Sequence, residues 1–277
     1  MILEVPGGSR LDLVEAKERA WAEEQPAYGQ VMRLLSESPK RVFGAERLRQ
    51  AFKTLPTAVV CIDEGVSLGD ASATEVAIAG SGVFLPEAEI TQFASTIRGR
   101  GLAITTVTYH DVCGAAGLYA AERGMNTFDA ARQAAQRLMK ALGLRGEPTR
   151  VGYDGAAIPM KRDPHFHHNV AIVVDGTGRI NLPALGMPAS LQLSGRYYPT
   201  PDRLRREVAL AETITFDPAG GLGERFTPDR PLLLVLVSDE SSQDWNLSSL
   251  EEMLGPVLTR EDHRTVVVPM PIYGLAN

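Results

Sequence analysis

The sequence predicts an α/β fold with a central, mostly parallel sheet flanked by helices. Short apolar runs rich in β-branched residues, such as residues 58–62 and 231–237, alternate with longer segments of helical periodicity. Such runs are typical of parallel strands that are buried on both faces. Because parallel strands need long crossover connections, which are usually helices, this alternation favours a sheet covered by helices.

The first half of the chain predicts helices followed by alternating strands and helices. Residues 10–53 show helical periodicity interrupted by Pro26 and Pro39, so we expect two or three helices there. The elements expected next are strands at residues 58–62, 75–79 and 102–109 and helices at residues 86–98, 114–122 and 127–142. Gly143 follows the last of these helices, as is typical of a helix end.

The second half predicts an α+β elaboration, formed either as an extension of the same sheet or as a small appended domain. Strand-like segments lie at residues 169–174, 179–182, 232–237 and 265–268, and a helix is expected at residues 247–258. The Gly-rich turn at residues 175–178 suggests a hairpin between the first two of these strands. No internal repeat is visible in the sequence.

Composition restricts the class of protein. Of the 277 residues, 44% are apolar and 22% are charged, which is usual for a folded globular chain. The net charge of −6 argues against a nucleic acid or an anionic membrane as partner. Arg203, Arg205 and Arg206 are the nearest approach to a basic patch, and their spacing predicts a solvated helix face. No secretory signal or membrane-spanning run is visible, so we expect a cytoplasmic protein with reduced thiols.

The two cysteines of the chain both follow predicted strands. Cys61 and Asp63 lie at the end of one strand, while His110 and Cys113 follow another. In parallel sheets, ligands gather at the carboxyl ends of the strands. Thiolates and imidazoles are good zinc ligands, and three of them leave a fourth position for water, carboxylate or substrate. The sequence therefore predicts one Zn²⁺ per chain, with a pair of inert core thiols or a disulfide as the alternatives.

This constellation resembles the signature of the beta-class carbonic anhydrases: Cys61-x-Asp63, then His110-x-x-Cys113. The resemblance covers residues 25–145 and assigns residues 1–150 to a zinc domain with N-terminal helices, and residues 151–277 are then an extension of the same sheet or a small appended domain. It implies that the two cysteines and the histidine hold zinc, and that Asp63 orients a zinc hydroxide that attacks carbon dioxide. The product would be bicarbonate. It also implies a homodimer or larger assembly with the site near the subunit boundary.

One departure from that family concerns the residue two positions after Asp63. The family has an arginine there that clamps the aspartate, whereas this chain has Gly65. Arg98, Arg100 or an arginine of a partner subunit are candidates to replace it. Without a clamp, Asp63 is expected to coordinate the metal itself and close the site. Two functions thus stay open: a zinc lyase, acting on carbon dioxide or a sulfur analogue such as carbonyl sulfide or carbon disulfide, and a non-catalytic zinc protein.

A histidine cluster, formed by His165, His167 and His168, is a further candidate site. It could shuttle protons from the zinc water or bind a second metal. Because no acidic or thiol partner lies at ligand spacing, a polar loop entering a strand is the alternative interpretation. The Gly-rich segments do not follow a strand and open a helix as phosphate-binding loops do, which indicates turns.

Overall fold

The computed structural model describes residues 10–52, 54–63, 74–152, 156–159, 168–217, 222–258 and 264–274. The helices in these ranges are α1 (Arg10–Met32), α2 (Pro39–Phe43), α3 (Ala45–Ala51), α4 (Glu87–Gly99), α5 (Gly114–Arg123), α6 (Thr127–Leu142), α7 (Leu182–Leu185), α8 (Pro201–Thr215) and α9 (Leu247–Leu258). The strands are β1 (Pro56–Val60), β2 (Thr74–Ala77), β3 (Thr106–His110), β4 (Thr149–Gly152), β5 (Ile158–Pro159), β6 (Ala171–Asp175), β7 (Ser190–Leu193), β8 (Leu232–Asp239) and β9 (Thr265–Ile272).

The N-terminal segment is helical as predicted, but Pro26 does not end a helix. It lies inside α1, which runs without interruption from Arg10 to Met32. Proline removes one backbone hydrogen bond, and packing on both sides of Pro26 offsets that loss. Trp21 and Tyr28 are both buried, and the Tyr28 hydroxyl donates to the carbonyl of Pro231 at 2.9 Å. Tertiary contacts therefore hold the helix together across the proline.

The first sheet is parallel throughout and has the strand order β2-β1-β3-β4-β5. Helices α4, α5 and α6 connect its strands, which confirms the predicted α/β fold. The last three residues of β1 are buried, as the apolar pattern requires. Strand β4 was not predicted, because its half-buried Thr149 and Arg150 give it no apolar run.

A second parallel sheet, with the order β7-β6-β8-β9, contains the strands of the C-terminal half. The predicted hairpin is wrong. Every residue of β6 is buried, and both of its edges are occupied by the parallel strands β7 and β8. Residues 179–182 therefore have no free edge of β6 to pair with, and they form no strand.

The two sheets meet along β2 and β7. The Ser194 amide donates to the carbonyl of Ala77 at 3.0 Å, and the Ala77 amide donates to the Ser194 hydroxyl at 2.8 Å. Helices α4 and α8 also meet here, because Arg203 pairs with Glu89 at 2.7 Å. The prediction of a solvated arginine face is therefore wrong for Arg203, which is buried against this carboxylate. The apolar cores of the two halves are continuous.

Within the described ranges, no helix is both long enough and apolar enough to cross a bilayer. The longest, α1, has 23 residues but is rich in charged side chains.

Candidate metal centre

Three side chains meet at the carboxyl edge of the first sheet. Cys61 is the first residue after β1, His110 is the last residue of β3, and Cys113 caps the N-terminus of α5. Because β1 and β3 are parallel neighbours, their carboxyl ends lie at the same edge. The two halves of the sequence motif are thereby brought together, as predicted from the strand pattern.

The distances within this group suit a tetrahedral metal. The sulfur atoms of Cys61 and Cys113 are 3.8 Å apart, and they and a ring nitrogen of His110 all lie within 4.8 Å of one another. Two sulfurs that each lie about 2.3 Å from a tetrahedral zinc are about 3.8 Å apart. Both cysteines are free thiols, so the disulfide alternative does not describe this structure. Cys61, His110 and Cys113 are 3%, 1% and 2% exposed.

The imidazole of His110 is oriented for coordination through Nε2. Its Nδ1 lies 2.9 Å from the carbonyl oxygen of Asp111, and since a carbonyl only accepts, Nδ1 carries the hydrogen. Nε2 of the neutral ring then has a lone pair, and it is buried without a hydrogen-bond partner among the residues described. A backbone carbonyl that fixes the tautomer in this way is a common feature of metal-binding histidines.

Backbone amides point at both sulfurs. The Gly80 amide donates to Cys61 Sγ at 3.2 Å, and the Ala116 amide donates to Cys113 Sγ at 3.4 Å. Gly80 has a positive φ of 51°, and a Cβ there would lie 2.7 Å from Val83 Cγ1. Only glycine therefore fits the turn that delivers this amide. Both hydrogen bonds stabilise negative charge on sulfur, which is the form that binds a metal.

Protonation of the group opposes metal binding at low pH. The hydrogen bond to Cys113, together with burial, raises the pKa of the Cys61 thiol well above its usual value. Burial lowers the pKa of His110, but Cys61 and Asp63 outweigh it and raise that pKa to about 9. A metal must displace these protons, so its affinity increases with pH.

The loop between His110 and Cys113 is strained. Val112 has a φ of +58°, a left-handed conformation that is rare for a β-branched residue. Its side chain is 44% exposed, so packing does not explain the choice of valine. The residues that flank this loop, His110 and Cys113, both belong to the group of candidate metal ligands.

Replacing Val112 with asparagine should therefore stabilise the protein. Asparagine tolerates the left-handed conformation, and we expect the free energy of unfolding to rise by about 1 kcal/mol. Urea denaturation measures the change. The control is Val14→Asn, because Val14 is also exposed but lies within α1. Equal or lower stability of the Val112 variant relative to wild type would contradict a strained loop.

A small pocket opens beside the cysteines. Its lining residues are Cys61, Ile62, Asp63, Cys113, Gly114, Ala115, Leu191 and Ile214. Asp63 is half-buried here and does not belong to the group of three metal-ligand candidates. Asp63 therefore lies beside the three candidate ligands, and its predicted role, either orienting a metal-bound water or coordinating the metal, stays a prediction.

The two local candidates for the missing arginine clamp lie elsewhere. Arg98 donates to the carbonyl of Ala141 at 2.6 Å, and Arg100 lies over the ring of Tyr197. Sequence reasoning did miss a different arginine near the site. Arg150 holds the carboxylate of Asp111 through two hydrogen bonds of 3.0 and 2.6 Å. This pair anchors the residue that follows His110, and it was not foreseen because β4 itself was not predicted.

One residue of the predicted histidine cluster lies within the described part of the chain. His165 and His167 lie outside the residues that the structure describes. His168 is half-buried and precedes the amino end of β6. Its proposed role as a proton shuttle stays a prediction.

Cys61, His110 and Cys113 thus form a buried group that could bind a metal ion, and within the described ranges no other such group occurs. Their positions follow from the parallel order of β1 and β3 and from the cap of α5. No protein-family model matches the chain, and no curated protein is similar to it in sequence.

Proposed function

We propose that this centre holds one zinc ion and catalyses the hydration of carbon dioxide to bicarbonate. The observation that carries the proposal is a set of three zinc-type ligands with a pocket beside them. Catalytic zinc sites typically have three protein ligands and one open position, whereas structural sites have four. Two sulfurs and one imidazole, with the separation described above, are a donor set that favours zinc over magnesium or calcium.

The chain's own residues would prepare the pocket for this reaction. When bound, zinc supplies a water nucleophile at neutral pH by lowering the pKa of that water. Asp63 lies at the pocket and would accept a hydrogen bond from the water, which orients it toward the substrate. Ile62, Leu191 and Ile214 provide an apolar wall that suits a small uncharged molecule.

Asp63 is the residue on which catalysis depends in this proposal. Its carboxylate is close enough to His110 to raise the pKa of that imidazole, after burial has lowered it, yet it lies outside the ligand group. This position supports a role beside the metal rather than on it. A bound zinc would then have its fourth coordination position open for the nucleophile.

Stopped-flow hydration of carbon dioxide by zinc-quantified protein, from about pH 6.5 to 9, tests the proposal. We expect activity that is proportional to zinc and increases with pH. Asp63→Asn should retain zinc but lose about a hundredfold in kcat/KM, because the water is no longer oriented. Stoichiometric zinc without hydration at any pH would contradict the lyase and favour a non-catalytic zinc centre.

A further inference from the structure

The two halves of the chain have the same strand order. In the first sheet the order is β2-β1-β3-β4, followed by the short β5, and in the second it is β7-β6-β8-β9. In each sheet, the first strand of the half lies between the second and the third, and the fourth lies beyond the third. All these strands are parallel. The second sheet is therefore a topological copy of the first.

The registers of the two sheets also agree. Val60 pairs with Ala77 in the first sheet, and Val174 pairs with Leu193 in the second. In both halves, a 3₁₀ turn begins two residues later, at Ala79–Ser81 and at Gly195–Tyr197. A helix then follows, α4 in the first half and α8 in the second. These matches give a residue-by-residue equivalence of the two halves.

Contacts between the halves are reciprocal, as a two-fold axis requires. Glu89 and Arg203 are each the third residue of their helix, and their side chains form the ion pair between α4 and α8. Helix α4 packs against the 3₁₀ turn of the second half. Helix α8 reaches the turn of the first half, because the Glu207 carboxyl lies close enough to the Ala79 amide to interact with it. Equivalent elements therefore meet each other across an approximate two-fold axis.

The second copy has different residues at the positions of the metal ligands. Val59 pairs with Val107 in the first sheet, and Val173 pairs with Val235 in the second. These pairs determine which residue of one half corresponds to which residue of the other. By this count Asp175 and Ser238 are the equivalents of Cys61 and His110, and the loop that follows β8 contains no cysteine.

The carboxylate of Asp175, in the second copy, accepts hydrogen bonds from the loop that follows it. The residue is fully buried, and its carboxylate accepts hydrogen bonds from the Thr177 amide at 2.9 Å, the Thr177 hydroxyl at 2.6 Å and the Ile180 amide at 3.0 Å. Both carboxylate oxygens are thus engaged within the turn. The position that holds a metal ligand in the first copy stabilises a loop in the second.

We propose that the C-terminal half is a second copy of the metal-binding unit that has lost its own ligands and serves as a built-in partner. It supplies the outer wall of the metal pocket through Leu191 of β7 and Ile214 of α8. Ile214 Cγ2 lies 3.5 Å from the place that a Cβ on Gly114 would occupy, directly beside Cys113. The inference rests on the metal centre of the proposed function, and it makes the site complete within one chain.

Cobalt(II), bound in place of zinc, absorbs visible light, and its spectrum measures ligand binding in a test of this pocket wall. Thiocyanate is titrated into the cobalt-loaded full chain and into Ile214→Ala. Truncation of the wall should strengthen thiocyanate binding at least about tenfold. Leu210→Ala is the matched control, because Leu210 lies on the same helix but does not line the pocket. If both variants bind thiocyanate equally, the proposal is overturned. Should Ile214→Ala fail to fold, Ile214→Val takes its place, with a smaller gain expected.

Sedimentation equilibrium of the same cobalt-loaded chain tests the built-in partner separately. We expect the mass of one chain, 29.9 kDa, with one metal bound. Metal binding that occurs only in associated chains would overturn the proposal. Cobalt binding by single chains that lack carbon dioxide hydration with zinc would contradict the proposed function and leave this inference in place. A wild-type chain that binds no cobalt would overturn both.

Discussion

Replacing Cys113 with serine is expected to weaken zinc binding at least about a hundredfold. The substitution removes one of two thiolates and leaves a hydroxyl, which is a poor zinc ligand at neutral pH. The fold should survive, because Cys113 caps α5 by accepting from the Ala116 amide and serine is itself a favoured N-cap. Competition with a chromophoric chelator at pH 7.5, with thiols kept reduced, measures the affinity.

The matched control for this experiment is Ser241→Ala, in the loop that follows β8 of the second sheet. The Ser241 hydroxyl donates to Asp239 and does not belong to the group of Cys61, His110 and Cys113. Its removal should leave zinc affinity unchanged. Zinc affinity that is the same in Cys113→Ser and in wild type would show that the metal binds elsewhere.

The second large effect concerns Glu207, which is 1% exposed on α8. Burial raises the pKa of its carboxyl to about 8, and Oε2 has no hydrogen-bond partner among the described residues. The folded state therefore binds a proton that the unfolded state has released above about pH 4.5. The free energy of unfolding of the wild type should then fall as the pH rises from about 4.5 to 8. In this range, folding requires the carboxyl either to take up a proton or to be charged in the core, and both cost free energy.

Glu207→Gln should remove this dependence on pH. The variant is expected to match wild type near pH 4 and to be more stable at pH 9, by a free energy of unfolding on the order of 4 kcal/mol. Urea denaturation at both pH values measures the difference. Asp202→Asn, at an exposed carboxylate of the same helix, serves as control and should show no such change. A Glu207→Gln effect of the same size at both pH values would contradict a protonated core carboxyl.

The meeting of Cys61, His110 and Cys113 could be predicted because they lie at or after the ends of two strands with clear apolar patterns. Cys61 comes after the buried β1, His110 ends β3, and both strands are parallel neighbours. Their meeting at one edge needs only the rule that parallel strands share a carboxyl edge. The loop strain at Val112 was not predictable, since valine gives no sequence signal for a positive φ.

Three features of the second half were not predicted, each for a physical reason. The turn at Asp175 has the composition of a hairpin, but β6 is a central strand whose edges are already paired. The proposed repeat rests on strand order and register, and the second half has other residues at the positions equivalent to Cys61 and His110, so the sequence does not reveal it. Arg203 was assigned to a solvated face because its partner Glu89 lies on a distant helix that only the fold brings near.

X-ray absorption at the zinc edge tests the central claim most directly. On protein loaded with one zinc per chain, we expect two sulfur neighbours at about 2.3 Å and two nitrogen or oxygen neighbours at about 2.0 to 2.1 Å. One of these two neighbours would be Nε2 of His110, and the other would be the oxygen of the water nucleophile. A shell without sulfur, or with a single sulfur, would contradict a centre built from Cys61, His110 and Cys113.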